Sequence, residues 1–204
     1  MDSLSTPASG TKSEDHGGQD LSNDALIIRL KQTLNHLSRW LTPIHDRALL
    51  EFSARRSEPS VKELLIRMRD TEIETYTMMY AIASERNPDL DRIPRIEPSS
   101  DQGVSDRMAA PLVIMSSFRR VRESTTSLLR ALPDTAWERG GYSRSRRNWT
   151  IRELAEFLAG HDREMLAQID RSLARSGARH GIAEVSQVDY AHLDEPFLAT
   201  TSRE

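Results

Sequence analysis

Four stretches of this chain place apolar residues at alternating three- and four-residue steps, and a proline or glycine follows each. Ile27, Leu30, Leu34, Leu37 and Leu41 form the first stripe, ended by Pro43. Val61, Leu65, Met68, Tyr76, Met79 and Ala83 form the second, ended by Asn87-Pro88. Ile114, Phe118, Val121, Thr125, Leu128 and Leu132 form the third, closed by Pro133-Asp134. Ile151, Leu154, Leu158, Met165, Ile169 and Leu173 form the fourth, closed by Ser176-Gly177. Steps of three and four follow the 3.6-residue turn, so each stripe is one face of an amphipathic helix. Helices with a single apolar stripe must bury it against one another. The predicted fold is therefore all-α, an up-and-down four-helix bundle.

The helix starts are legible too. Ser22 is a good N-cap for the first helix. Ser60 with Glu63, and Thr150 with Glu153, are capping boxes for the second and fourth, and the segments SVKELL and TIRELA echo each other. Pro111 either opens the third helix or kinks one that begins near Ser105. Ile44 to Arg56 reads as a short irregular helix, and Pro94, Pro98 and Gly103 mark a long loop.

Residues 1–20, rich in Ser, Gly, Thr and acidic side chains, read as a disordered tail; residues 21–176 form the bundle. Residues 177–204 form an extension whose Tyr190, Leu193 and Phe197 would dock on the bundle or on a partner. The chain has 204 residues and no cysteine, which excludes disulfides, thiolate metal sites and cysteine nucleophiles. Its formal net charge of -3 supplies no global field for nucleic acid or anionic membrane. No apolar run approaches the ~20 residues of a bilayer span, and the N-terminus lacks an apolar signal core, so a cytoplasmic protein is expected. No glycine-rich phosphate loop, nucleophile elbow or helix-turn-helix pattern is found.

Two segments carry a family resemblance. LLRALPDTAWERGGYSRSRRNWTIRELAEFLAGHDREMLAQI, from Leu128 to Ile169, resembles the closing helix pair of DinB-like (DinB/YfiT-type) proteins. PSVKELLIRMRDTE, from Pro59 to Glu72, resembles the opening of their second helix. The resemblance spans roughly residues 22–172. It implies a four-helix bundle whose metal is held by three histidines, two on the fourth helix and one on the second. Activities of the family include thiol-dependent transfer and metal-dependent hydrolysis.

Carried over residue by residue, His161 matches the first histidine of the fourth helix, Met165 stands at the second, and Arg67 at the second-helix position. A thioether is a poor ligand at such a site and a guanidinium is none. A register shift would bring Asp70 or Glu72 there instead. The expectation is a metal-independent bundle, with no cofactor, that binds a small molecule or a partner. The alternative is a thiol S-transferase or hydrolase using zinc or nickel in a rearranged site around His161.

Individual residues carry two readings each. His161 is either a half-buried histidine or a ligand, and Met165 is core. Glu164 lies three residues after His161, as in di-metal bundles, but the other carboxylates of such a site are missing. Glu72 falls on the apolar face of the second helix, where a carboxylate needs a partner. Glu72 is read either as a ligand or acid/base group in a bundle pocket, or as salt-bridged to Arg67, Arg69 or an arginine on another helix; in one specific form of this, Arg67 pairs with Glu72 or Glu164 where the metal would have been. Arg139, Arg144, Arg146, Arg147 and Arg152 form either an anion site at the start of the fourth helix or a solvated loop. Apolar surface at Ile44 to Phe52 and Tyr190 to Phe197 suggests a homodimer.

Overall fold

The computed structural model describes residues 21–55, 58–93, 100–145 and 147–181. The expected tail, Pro94, Pro98, Arg146, and the Tyr190, Leu193 and Phe197 extension lie outside them. Helices α1 (Asn23–Leu41), α3 (Val61–Ser84), α5 (Pro111–Ala131) and α7 (Ile151–Arg175) are the four long ones. They form the expected all-α, up-and-down bundle. Short helices α2 (Arg47–Glu51), α4 (Ser100–Met108) and α6 (Asp134–Trp137) decorate it, with a small antiparallel hairpin of β1 (Gly140–Gly141) and β2 (Trp149–Thr150). Both capping boxes form: the Ser60 and Thr150 hydroxyls accept from the Glu63 and Glu153 amides, and each glutamate returns a bond to the cap amide. Gly177, at φ 74°, turns the chain out of α7.

Helix α3 packs on α5 and α7, and α1 packs on the same two. Consecutive long helices α1 and α3 thus face each other across the bundle. The core divides into two apolar clusters. Leu37, Leu65, Met68, Phe118, Met165 and Ile169 belong to one, and Leu30, Met79, Leu129, Trp137, Leu154 and Leu158 to the other. In every long helix the gap between them is polar: Thr33 in α1, Glu72 and Thr75 in α3, Arg122 and Thr125 in α5, and Asp162 in α7, all buried.

The structure differs from the sequence reading in several places. Gly103 lies inside α4 rather than in a loop, and α4 is separate from α5, which starts at Pro111. Polar bonds rather than burial hold α4. Arg69 of α3 grips Asp106 through Nη1 at 2.7 Å and Nη2 at 2.8 Å, and Lys62 donates to the Arg107 carbonyl at 2.7 Å. On its outer face Val104 and Met108 remain exposed. Trp137, on a helix the sequence pattern did not announce, is buried at 2% exposure and joins the second cluster. Ile44 and Leu50 are buried in the first cluster, leaving Phe52 as the exposed apolar group of that segment. The Ile44 and Leu50 surface is used within the monomer.

The hairpin is set by close packing. A Cβ at Gly141 would lie 2.7 Å from the Leu90 side chain, so only glycine fits. Asp91 ties down the following loop, accepting from the Ser143 and Ser145 hydroxyls and from the amides of Arg144 and Ser145. These bonds, the Ser145 hydroxyl foremost, hold the Asp91 carboxyl well below the usual range.

Because α4 hangs on charge, Asp106→Ala should free it while leaving the bundle folded. The amides of residues 101–109 are expected to lose protection in hydrogen exchange, with α3, α5 and α7 still protected. Uniform loss of protection across all helices would show that α4 is integral to the core.

Candidate functional site

The polar layer is organised by Arg122, whose side chain is fully buried on α5. The buried stripe of that helix, Phe118, Arg122, Thr125 and Leu129, runs at steps of four, three and four, and so carries the guanidinium into the bundle axis. Nη1 meets Asp162 Oδ2 at 2.5 Å and Nη2 meets Asp162 Oδ1 at 2.9 Å, a two-pronged pairing with α7. Nη2 also donates to Glu72 Oε2 of α3 at 2.7 Å, and Nη1 to the Leu30 carbonyl of α1 at 2.8 Å. One side chain thereby binds all three other long helices.

The carboxylates are satisfied in turn. Thr125 donates to Glu72 Oε1 at 2.6 Å, and Thr33 to Asp162 Oδ2 at 2.8 Å. The Phe118 ring lies 4.9 Å from the guanidinium carbon, a cation–π contact. Burial opposes the charge on Arg122, but Asp162 and Glu72 outweigh it and raise its pKa above the ordinary arginine value. Its Nε–H has no hydrogen-bond partner among the described residues. A cleft of about 10 Å³ between α1 and α7 reaches Thr33 and Asp162, room for roughly one water.

The residues singled out from sequence are dispersed. Glu72 is in the layer as expected, and its partner is an arginine on another helix, Arg122; the Arg67 pairing fails, since Arg67 is exposed on the outer face of α3. The projection of α3 explains this, since Glu72 and Met68 define the inward face and Arg67 lies about a third of a turn from its centre. Glu164 is exposed and accepts from Gln168 at 3.2 Å, so it takes no part in an internal pair. Asp70 is half-buried and bonded to Arg69 at 2.8 and 2.9 Å; burial raises its pKa and Arg69 opposes the rise. Met165 packs in the first apolar cluster. His161 is half-buried with its ring stacked on Phe157, centroids 6.1 Å apart, and burial lowers its pKa against the opposing pull of Asp162.

Asp162 and Arg122 were missed. Asp162 directly follows His161 in the quoted motif. Arg122 was legible only by shifting the third stripe one residue from Val121, which brings a charge onto the apolar face.

Among the described arginines of this segment, Arg139, Arg147 and Arg152 each engage groups of the protein itself. Arg139 caps the end of α3 through the Ala83 carbonyl at 3.0 Å and the Glu85 carbonyl at 2.7 Å. Arg152 ties α7 to the start of α1 through Asn23 and the Leu21 carbonyl. Arg147 lies over the Trp149 ring at 4.3 Å and pairs with Glu153. The capping box already uses donors at the start of α7.

Beside the layer, an open groove of about 310 Å³ runs between α3 and α7 under the hairpin. Thr71, Glu74 and Met78 form its α3 wall. Leu154 and Phe157 of α7, with Arg147 and Trp149, form the other. Trp149 and Phe157 meet at 5.6 Å in a tilted pair.

No family model matches this sequence, and no curated protein matches it. Among solved structures, the chain is similar to YfiT from Bacillus subtilis, described as a probable metal-dependent hydrolase with an unusual four-helix bundle topology. The TM-score is 0.63 at 19% identity, over 81% of this chain and 93% of that one. The chain thus shares the four-helix-bundle fold of that structure. The donor set that the resemblance would carry over does not fit a metal: His161 is one imidazole, Met165 is core, and Arg67 is an exposed cation. Among the described residues no group of three or more His, Asp or Glu side chains is placed to hold a metal ion.

Two outcomes follow. Arg122→Met strands two buried carboxylates and should destabilise by about 3–5 kcal/mol in urea unfolding. Arg67→Ala should change stability by less than about 0.5 kcal/mol. Equal effects would remove Arg122 from its central place. The second concerns pH. His161 and His36 both have pKa values lowered by burial, with Arg39 adding to the effect at His36. Below the ordinary value of 6.5 the unfolded chain takes up protons that the folded chain resists. The stability these groups contribute is full above pH 6.5 and is lost as pH falls toward their folded values. The drop in unfolding free energy from pH 7.5 to 5.5 should therefore shrink in the double variant His36→Gln, His161→Gln; an unchanged drop would count against it.

Proposed function

We propose that this chain is a metal-independent DinB-like bundle that binds a small molecule in the groove between α3 and α7. The supporting observation is the pairing of Arg122 with Glu72 and Asp162. A positive charge supplied by the protein itself balances the interior carboxylates, the role a resident cation plays in a metal-holding bundle. With that charge in place, Glu72 and Asp162 are acceptors already engaged by Arg122, Thr125 and Thr33. They are not poised to ligate or to move a substrate proton.

The groove has what a small-molecule site needs. Its volume of about 310 Å³ lies at the small end of the ~300–1,000 Å³ range of ligand pockets. Ring faces and methionine supply apolar contact, and Thr71, Glu74 and Arg147 supply the few polar groups that orient a ligand. The groove lies against the same two helices that the Arg122 layer braces, so its walls are held at a set distance.

The rival reading is a thiol S-transferase or hydrolase with a rearranged zinc or nickel site. It needs His161 with Glu72 or Asp70, and each of these carboxylates is committed to an arginine, so no observation favours it. No helix among the described residues is long and apolar enough to cross a membrane.

Elemental analysis of protein purified without a metal-affinity tag should find zinc, nickel and manganese well below one per chain. A small-fragment screen by heteronuclear NMR should find ligands that shift the Thr71, Trp149 and Phe157 resonances and lose binding when Thr71→Trp fills the groove. One metal per chain, lost in His161→Ala, would support the rival; a screen with no groove ligand would overturn the binding reading.

A further inference from the structure

A second, wider cleft of about 760 Å³ lies where the hairpin meets the end of α3. Its volume falls within the ~300–1,000 Å³ range of ligand sites. Arg86 and Asn87 enter it from the chain just past α3, Arg139 and Tyr142 from the two ends of β1, and Asn148 and Glu153 from either side of β2. Hydrogen bonds fix this frame. Arg139 holds the strand to α3 through the Ala83 and Glu85 carbonyls at 3.0 and 2.7 Å. The Tyr142 amide donates to the Pro88 carbonyl at 3.0 Å, and its carbonyl accepts from the Leu90 amide at 2.9 Å. Asn148 Oδ1 accepts from the Ser143 amide at 2.9 Å.

The donors of this cleft are unspent and its carboxylate is spent. Arg86 is exposed, and its guanidinium has no hydrogen bond or ion pair among the described residues. The Asn87 side chain and the Tyr142 hydroxyl are in the same condition. With Oδ1 of Asn148 already used, its remaining capacity is the Nδ2 donor. Glu153, the carboxylate of the lining, is engaged by the Thr150 amide and hydroxyl and by Arg147. Charge divides in the same way. Arg147 neutralises Glu153, whereas neither Arg86 nor Arg139 is paired with a carboxylate among the described residues. Carbonyls hold Arg139 without cancelling its formal charge, and the dipole at the end of α3 offsets roughly half a charge. Glu85 and Glu138, the sequence neighbours of these arginines, do not line the cleft.

We propose that this cleft is a second ligand site, distinct from the groove between α3 and α7, that takes a small phosphomonoester. The phosphate lies at Arg86 with the Asn87 and Asn148 amides, and the organic part lies along Tyr142 and Trp149. The inference stands apart from the groove reading, since Trp149 alone lines both openings. A phosphomonoester carries close to two negative charges above pH 7 and three strong acceptor oxygens, matching two arginines and a set of unspent donors. A carboxylate brings one charge and two oxygens. A cation meets Arg86 and Arg139 with the wrong sign.

Phenyl phosphate, benzoate and benzamidine, titrated at pH 7.5 into the full chain in a phosphate-free buffer, separate these cases by calorimetry and NMR. Phenyl phosphate is expected to bind saturably, to shift the Asn87 and Asn148 side-chain amides and the Gly141 amide, and to weaken as salt rises. Benzoate should bind at least about fivefold less tightly, and benzamidine not measurably. Arg86→Gln, at an exposed position, should weaken phenyl phosphate roughly tenfold. Asn148→Asp keeps the acceptor that Ser143 uses but replaces the free donor with a negative charge, and should also weaken it. Thr71→Trp, which fills the groove, should leave the affinity unchanged. Circular dichroism checks that all three variants are folded. Shifts that do not saturate by about 10 mM overturn the proposal. So does benzoate or benzamidine binding as tightly as phenyl phosphate, or an affinity unchanged in Arg86→Gln. Shifts confined to Thr71 and Phe157, lost in Thr71→Trp, would put the ligand in the groove and overturn the second site while leaving the groove reading standing.

Discussion

A guanidinium at the axis of a four-helix bundle is a severe constraint. Arg122 is enclosed on every side, and stripping water from such a group is unfavourable by several kcal/mol unless its partners are close and well aimed. Here Asp162 grips it from α7, Glu72 from α3, and the Leu30 carbonyl from α1. Each partner must sit at one height along its helix. An apolar core would tolerate α7 sliding against α5 by part of a turn; this layer does not, because a slide would strand charge between two apolar clusters. The polar layer therefore sets the axial register of the bundle, and the clusters above and below it supply the burial.

That register positions the groove. Glu72 and Glu74 are two residues apart on α3, so one points to the bundle axis and the other to the opening beside Phe157. Asp162 and Phe157 are five residues apart on α7 and divide in the same way. The bonds that lock Glu72 and Asp162 inward also fix how Glu74 and Phe157 face each other across the opening. The hairpin completes the arrangement. Gly141 lets it press on Leu90, the Asp91 carboxylate ties down its connecting loop, and Trp149 at its end reaches Phe157. Elements outside the four long helices thus shape the groove without contributing to the axial charge layer.

The same geometry accounts for what became of the positions that the DinB-like resemblance marks. His161 faces Phe157 rather than the axis, Met165 falls into an apolar cluster, and Arg67 points outward. A buried positive charge is still present, but it enters from α5, the helix on which the resemblance places no ligand. The likeness to YfiT is one of helix arrangement alone.

Much of the framework was readable in the sequence, because it depends on local rules. Capping boxes at Ser60 and Thr150, the breaks at Pro43 and Pro133, and the stripes of α1, α3, α5 and α7 need only neighbours three or four residues away. The need of Glu72 for a cationic partner was readable for the same reason, since a carboxylate on an apolar face is a local anomaly. Which cation answers it was not. Arg67 is near in sequence but lies about a third of a turn from the centre of the inward face, while Arg122 is 50 residues away and comes within 2.7 Å only because α3 packs on α5. The facing of α1 and α3 across the bundle, the polar latch of α4 and the burial of Trp137 are likewise set by how helices pack. A helical stripe states which face is buried but not what it is buried against, and charge pairing acts through space between faces that only the assembled bundle brings together.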